Sequence, residues 1–283
     1  MMHRLQVKAL ATLRVAFCTS VSLVLAACAG SSSIQPGEGV NVGEASQLRK
    51  IVPAEELEQS SATQYAGLVQ QASAKGQVAA SGDPQLARLQ KISQRIIPHA
   101  SRFNSRANSW QWQVNLIRSN EINAFCMPGG KIAFYTGLIK QLKLSDDEIA
   151  IVMGHEMAHA LREHGREQIA KQGLTNIGTQ AISAIAGQTA GSVIQSGAGL
   201  LKLKFSRDDE TDADLVGLEL AARAGYDPHA GVTLWKKMAA ASKGAPYEWF
   251  STHPSGDTRI ATIEKNIPAV MPLYKEAKAG KKS

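Results

Sequence analysis

The spacing of apolar residues favours α-helices over most of the chain. After Ser145, apolar side chains recur at close to the helical period, and Glu148 completes the sequence of a capping box. Gly225 and Pro228 are typical of the end of one helix and the start of the next. The pattern predicts helices near residues 53–73, 84–98, 145–163, 206–223, 228–241 and 255–266.

A second pattern, the alternation of apolar and polar residues, predicts two short strands. They cover residues 110–118 and 131–135, and the second follows the turn signal Pro128-Gly129-Gly130. We expect them to form a small antiparallel sheet. The predicted fold class is therefore α+β and predominantly helical, with one catalytic domain that contains the sheet.

The N-terminus has the pattern of a secretory leader. Basic residues at positions 4, 8 and 14 precede an apolar stretch at 15–26, which is too short for a typical membrane span. The stretch ends in LAAC at 25–28, which resembles the lipobox of bacterial lipoproteins. This resemblance implies that Cys28 becomes the first mature residue and carries a lipid anchor. An ordinary secretory leader, with Cys28 incidental, is the alternative.

Charge and composition indicate the class of the mature chain and its division into segments. Residues 1–27 contain three of the 31 basic residues and none of the 24 acidic ones, so the mature chain has a formal charge of +4. That balance is too mild to indicate a nucleic-acid partner. After the leader we expect a lipidated cysteine with a flexible tether over 28–48, a domain over 49–270 and a basic solvated tail over 271–283. Cys126 alone then remains as a thiol, so we expect no disulfide within the chain.

The chemistry with the sharpest sequence pattern is HEMAH at 155–159. On a helix, His155 and His159 lie on one face and can bind one metal ion together. Glu156 then projects beside the metal, where its carboxylate can take a proton from a bound water. Two surface histidines on an amphipathic helix would give the same spacing, so the motif needs a third ligand.

An acidic segment downstream can supply that ligand. Glu210 and Asp214 are four residues apart and share a helical face. A catalytic zinc takes three protein ligands and keeps a fourth position open, which suits two histidines and Glu210. Asp214 is spaced to accept a hydrogen bond from the distal nitrogen of a ligating histidine. Taken alone, such an acidic cluster is usually a solvated helix face.

Three motifs together resemble a known family: HEMAH at 155–159, SRDDETDAD at 206–214 and NAFCMPGGKIAFYTGL at 123–138. The chain resembles the gluzincin metallopeptidases related to the CAAX prenyl protease and HtpX, over roughly residues 85–270. Within them it is most similar to the soluble branch, which includes bacterial outer-membrane lipoprotein peptidases and the core of a mitochondrial quality-control peptidase. Relatives commonly have Ala-Leu where this chain has Cys126-Met127.

The resemblance implies a zincin-like domain with one zinc ion per chain. The ligands would be His155, His159 and Glu210, with Glu156 as general base and Asp214 as a supporting or proton-donating residue. It also implies that the edge strand beside the zinc helix pairs with extended substrate; a hairpin that only packs on helices is the plainer alternative.

The sequence leaves the roles of several other residues undecided. Relatives carry a similar His-Pro with a downstream Arg, so His253 or Arg259 could stabilise the oxyanion of the tetrahedral intermediate; His253 could equally cap the next helix. His164 does not share the helix face of His159, and we expect it to be exposed. Residues 172–201 contain no charge, and we expect a helical hairpin or lid beside the cleft, with a membrane span as the alternative.

The predicted function is a zinc-dependent endopeptidase of the bacterial cell envelope. Its expected substrates are unfolded or specific envelope proteins, and its expected location is the outer membrane, facing the periplasm, held by the lipid on Cys28. The alternative is a chaperone-like assembly factor that binds clients with little proteolysis. A structural zinc site fits poorly, because such sites are usually closed by four ligands.

Overall fold

The computed structural model of the chain describes residues 39–177, 200–242, 248–253 and 257–280. The α-helices are α1 (Ala54–Ala74), α2 (Pro84–Ile96), α3 (Thr136–Gln141), α4 (Asp146–Leu161), α5 (His164–Ile177), α6 (Arg207–Arg223), α7 (Ala230–Ser242), α8 (Glu248–Thr252) and α9 (Asp257–Ala279). The strands are β1 (Gln113–Ile117), β2 (Ala124–Met127) and β3 (Lys131–Tyr135). Short 3-10 helices cover Gln47–Ile51, Ile97–Arg102, Ser105–Ser109 and Leu200–Lys202. The predicted class, α+β and predominantly helical, is confirmed.

The sheet is mixed, so the expectation of a wholly antiparallel sheet was wrong. Its strand order is β1-β3-β2, with β1 parallel to β3 and β2 antiparallel to it. Strand β3 takes the central position and is accordingly the most buried of the three. The chain reaches it from β2 through a tight turn in which Gly129 and Gly130 adopt positive φ angles of 82° and 77°. Strand β2, which alternation did not identify, forms the sheet edge beside α4.

The six predicted helices are present, and the last one is much longer than expected. Helix α9 continues to Ala279, although Pro268 and Pro272 lie inside it. Proline usually interrupts a helix, so the pattern predicted an end near residue 266. Buried apolar residues continue at helical spacing through the prolines: Ile263, Ile267, Val270 and Leu273. The expected basic tail over 271–283 is therefore helical as far as Ala279.

Helices α4 and α6 cross with their backbones in contact. A Cβ added at Gly154 would lie 2.6 Å from the carbonyl oxygen of Gly217, and one added at Gly217 would lie 2.6 Å from the backbone nitrogen of His155. Real Cβ atoms do not approach backbone this closely, so only glycine fits at either position. The crossing brings the HEMAH segment against the acidic segment of α6.

Residues 39–52, which we call the N-terminal strap, pack against the helices. The Val40 N–H donates a 2.7 Å hydrogen bond to the buried carboxylate of Glu219, and Arg162 donates to the Gly43 carbonyl. Arg166 donates to the carbonyl of Val52. Residues 39–48 of the expected flexible tether are thus attached to the domain.

The expected lid over 172–201 lies largely outside the described residues, since helix α5 is described to Ile177 and the next described residue is Leu200. The leader and Cys28 lie outside them as well. Within the described ranges, none of the helices combines the length and the apolar composition that a membrane span requires.

The glycine contact yields the first prediction. Gly217→Ala should lower the free energy of unfolding by about 1–3 kcal/mol, because the new methyl group forces α4 and α6 apart. Urea unfolding followed by circular dichroism measures the change. Gly67→Ala in α1 is the matched control: its Cβ would meet nothing within 4 Å, so it should stabilise the protein by about 0.5–1 kcal/mol. Equal stability of the Gly217→Ala variant and the wild type would contradict the close crossing.

Candidate metal centre

Helix α4 presents three functional side chains from a fully packed position. The capping box of Ser145 and Glu148 starts the helix, with both reciprocal hydrogen bonds formed. Its residues are buried from Glu148 to Leu161, including His155, Glu156 and His159. Helix α6 starts with a second capping box, made by Ser206 and Asp209. Both helices therefore begin at residues that the sequence itself marks.

Four side chains bring one ligand atom each to a common point. His155, His159, Glu210 and His253 are buried, and their ligand atoms all lie within 4.8 Å of one another. The His155 and His159 Nε2 atoms are 3.1 Å apart, and Glu210 oxygens lie 3.7 Å and 3.5 Å from them. Nitrogen ligands about 2.0–2.1 Å from a tetrahedral zinc would be separated by roughly 3.3 Å. The donor atoms therefore fit a zinc ion.

Charge also fits a divalent cation. Glu210 and Asp214 are buried carboxylates, and the Arg259 guanidinium is the cation that touches both. Among the described residues, Glu156 Oε1 is buried with no hydrogen-bond partner. An excess of buried negative charge is costly unless a further cation or protons offset it. The site thus has both the geometry and the charge for zinc.

Asp214 and Arg259 hold the outer side of His155. The Asp214 Oδ1 atom lies 3.0 Å from His155 Nδ1, at hydrogen-bonding distance. The Arg259 Nε and Nη2 atoms each donate to Asp214 at 2.7 Å, and Nη1 donates to Glu210 at 2.6 Å. The guanidinium also lies over the Trp235 ring, 3.5 Å from its centroid. Helix α9 therefore completes the site from the C-terminal side.

His164 and Asp212 hold the outer side of His159. The two histidine Nδ1 atoms are 3.0 Å apart, and His164 Nε2 is 3.0 Å from Asp212 Oδ2. The expectation that His164 is exposed was wrong, since it is 5% exposed. Helix α4 ends at Leu161 and Glu163 takes a positive φ of 61°, so helical spacing does not relate His164 to His159.

The electrostatic environment suits metal binding. Burial, and then the neighbouring imidazoles, hold the pKa of His159 well below its ordinary value, so the ring is neutral and can ligate. Burial would raise the pKa of Glu210, but the hydrogen bond from His253 and nearby positive charges outweigh it and lower that pKa. Burial would likewise raise the pKa of Asp214, but Arg259 outweighs it. Both carboxylates are therefore ionised.

Glu156 has the opposite environment. Burial, with the charge of Glu210 added, raises the pKa of Glu156 well above its ordinary value, and Arg259 opposes this only in part. Such a carboxylate is a stronger base when it is ionised.

His253 faces both sides of the centre. Its Nδ1 lies 2.8 Å from Glu210 Oε1 and 3.5 Å from His155 Nε2, and its Nε2 lies 3.8 Å from Glu156 Oε1. The Trp249 ring stacks on the His253 ring, with ring centroids 4.4 Å apart. A neutral His253 that donates from Nδ1 to Glu210 has no proton on Nε2 to offer an oxyanion. The predicted oxyanion role stays a prediction, and it requires His253 to release Glu210 or to be doubly protonated.

A cleft of about 270 Å³ opens beside these residues. Glu156, His159 and His253 line it, together with the edge strand β2 and apolar side chains that include Leu57, Leu203 and Phe205. Cys126 of β2 also lines it, as a buried free thiol whose pKa is raised by burial.

The site contains every residue that the sequence proposed within the described ranges, and several that it did not. His164, Asp212, Phe205 and Trp235 were missed as members of the centre. Phe205 stacks on His159 with ring centroids 3.9 Å apart. Phe205 directly precedes the capping residue Ser206, and this position next to the start of α6 is the sequence feature that could have indicated its place in the centre.

Comparison with known proteins agrees with this geometry. The sequence model described as Peptidase family M48 matches residues 84–267. The mitochondrial metalloendopeptidase OMA1 of Schizosaccharomyces pombe is 39% identical over 168 residues, which cover 56% of this chain and 47% of that protein. Metalloprotease LoiP of Escherichia coli is 28% identical over 188 residues, 63% of this chain and 72% of LoiP. The beta-barrel assembly-enhancing protease of the same organism is 26% identical over 212 residues, 70% of this chain and 42% of that protein.

The chain spans only part of several of these relatives, 47% of the yeast OMA1 for example. The matched range nevertheless contains the whole constellation from His155 to Arg259. The family expected from the motifs is confirmed, whereas its soluble lipoprotein branch stays a prediction. The match over residues 84–267 shows that the chain belongs to peptidase family M48.

Proposed function

We propose that this protein is a zinc-dependent endopeptidase that hydrolyses peptide bonds in misfolded or specific proteins of the bacterial cell envelope. The observation that carries the proposal is the position of Glu156. Its buried carboxylate lines the cleft beside four converging metal donors, and its Oε1 atom has no hydrogen-bond partner within the described part of the chain. Burying a carboxylate without a hydrogen bond costs free energy, and groups in such unfavourable environments are concentrated at catalytic sites.

The proposed ligands are His155, His159 and Glu210. Zinc held there would lower the pKa of water and polarise the scissile carbonyl. Glu156 accepts a proton from the attacking water on its carboxylate and returns it to the leaving amine. Asp214 accepts from His155 Nδ1 and so directs Nε2 towards the donors of the centre.

The remaining roles follow from the partners of each side chain. Arg259 keeps Glu210 and Asp214 ionised and in place through three hydrogen bonds of 2.6–2.7 Å. His253 donates to the developing oxyanion after it releases Glu210, in a site where a preorganised donor has its largest effect.

Substrate is proposed to bind in extended form along β2. This strand is an edge of the sheet, lines the cleft and contacts the metal helix. An edge strand has backbone donors and acceptors that pair with another extended chain independently of its side chains. Unfolded segments expose such backbone along their length, whereas folded domains expose it mainly at sheet edges, which supports misfolded proteins as the substrate class.

The envelope location is proposed from the leader and from the lipobox-like sequence that ends at Cys28. The described strap begins at residue 39, eleven residues after Cys28. An extended chain of that length spans at most about 35–40 Å, so the catalytic domain would act close to the membrane surface. The likeness to a beta-barrel assembly-enhancing protease supports envelope proteins as clients.

The catalytic proposal is tested by Glu156→Gln. Without the carboxylate no group accepts the proton, so kcat for cleavage of unfolded casein should fall by about 10²–10⁴-fold. Zinc content should stay near one ion per chain, because Glu156 is not a proposed ligand. Casein cleavage and metal analysis of the purified chain give the two readings.

The exposed Glu264→Gln is the matched control and should cleave like the wild type. A chelator should abolish wild-type cleavage, and zinc should restore it. Full activity of Glu156→Gln would overturn the assignment. A zinc-loaded wild type that binds casein without cleaving it would favour the chaperone-like alternative.

The location is tested by Cys28→Ser expressed in a bacterium fed labelled palmitate. The hydroxyl group is a poor substitute for the acylated thiol, so the label should disappear and the protein should leave the membrane fraction. Cys18→Ser alters the cysteine within the leader and should leave both the label and the membrane association unchanged. Labelling of the Cys28→Ser protein would contradict the proposed anchor.

A further inference from the structure

A third imidazole lies directly behind His159. His164 Nδ1 is 3.0 Å from His159 Nδ1, and His164 Nε2 is 3.0 Å from Asp212 Oδ2. The same Asp212 oxygen accepts a 2.6 Å hydrogen bond from Arg162 Nε. A continuous row of hydrogen-bonding groups therefore leads from His159 away from the metal donors.

Only one arrangement of protons satisfies this row while His159 Nε2 keeps a lone pair for a metal. His159 must carry its proton on Nδ1 and donate it to His164 Nδ1. His164 accepts there, so its own proton lies on Nε2 and is donated to Asp212. Each neutral ring then acts once as donor and once as acceptor.

The row is held in place at its far end. Arg162, which binds Asp212, also donates to the backbone carbonyl of Gly43 in the N-terminal strap. His164 is 5% exposed, so water does not compete freely for its nitrogens. Phe205 stacks on His159 and limits tilting of that ring. A group this enclosed keeps one orientation.

The two metal-facing histidines differ in their outer partners. His155 meets a carboxylate directly, at 3.0 Å from Asp214. His159 meets a second imidazole, with the carboxylate of Asp212 one step further out. The outer partner of a ligating histidine fixes its tautomer and orientation and raises its basicity. His164 occupies the position in which that partner is needed.

We propose that His164 and Asp212 are positioning residues that fix the tautomer and orientation of His159 for zinc. This inference rests on the proposed function, because it requires His159 to be a zinc ligand. Losing the His164 acceptor should weaken zinc binding by about 10–100-fold.

The test compares variants of the full chain by two readouts that do not depend on turnover. One is the zinc dissociation constant, measured in competition with a chromogenic chelator. The other is the visible absorption of the cobalt-substituted protein, which reports the ligand geometry. His164→Leu removes the acceptor, whereas His164→Asn keeps an acceptor oxygen close to the position of Nδ1. His229→Leu removes an exposed histidine that pairs with Asp227, and serves as the control.

We expect weaker zinc binding and an altered cobalt spectrum for His164→Leu, substantial recovery of both for His164→Asn, and wild-type behaviour for His229→Leu. Unchanged zinc affinity in His164→Leu would overturn the inference. So would equal losses in the Leu and Asn variants, because a loss that an acceptor does not repair reflects packing alone. If His164→Leu does not fold, the Asn variant decides: affinity near the wild type supports the role, and a full 10–100-fold loss contradicts it.

His159→Ala separates this inference from the proposed function. If that variant binds zinc as tightly as the wild type, His159 is not a ligand and the proposed site fails. If His159→Ala loses zinc while His164→Leu retains it, the proposed site stands and only the positioning role is lost.

Discussion

The backbone contact between Gly154 and Gly217 is the constraint on which the rest of the centre depends. Gly154 immediately precedes His155, and Gly217 lies three residues, nearly one helical turn, after Asp214. With no side chain between α4 and α6, the carboxylates of α6 come within hydrogen-bonding reach of the α4 histidines. A wider separation would leave the same residues on the same helices, but their donor atoms would no longer meet at one point.

This closeness creates an electrostatic cost that other elements of the fold offset. Glu156, Glu210 and Asp214 are three buried carboxylates in one small volume. Buried charges are tolerated when they are paired, and Arg259 supplies one positive charge to two of them. Arg259 comes from α9, whose long buried face fastens it to α6. Packing of α9 on α6 therefore serves the same centre, because detachment of α9 would remove the charge that keeps Glu210 and Asp214 ionised.

Local patterns predicted the parts of this arrangement that depend on local spacing. The i, i+4 relation of His155 and His159 and the start of α4 at Ser145 follow from helical geometry and a capping box. The parallel pairing of β1 with β3 did not follow, because the chain passes through β2 between them and alternation did not identify β2. His164 was misplaced for a related reason: a break at Glu163 cancels the helical period on which the expectation relied. Helix α9 passed through two prolines because a continuous buried face compensates for lost hydrogen bonds.

The two histidines of the motif are thus tied to opposite ends of the described chain. His155 is connected through Asp214 to Arg259 of α9, and His159 through His164 and Asp212 to Arg162 and the N-terminal strap. Zinc that joins the two imidazoles also joins these two sets of contacts. Binding free energy that depends on a folded site is folding free energy. Metal occupancy should therefore stabilise both ends of the domain. Local unfolding of either end should weaken metal binding before the rest of the domain unfolds.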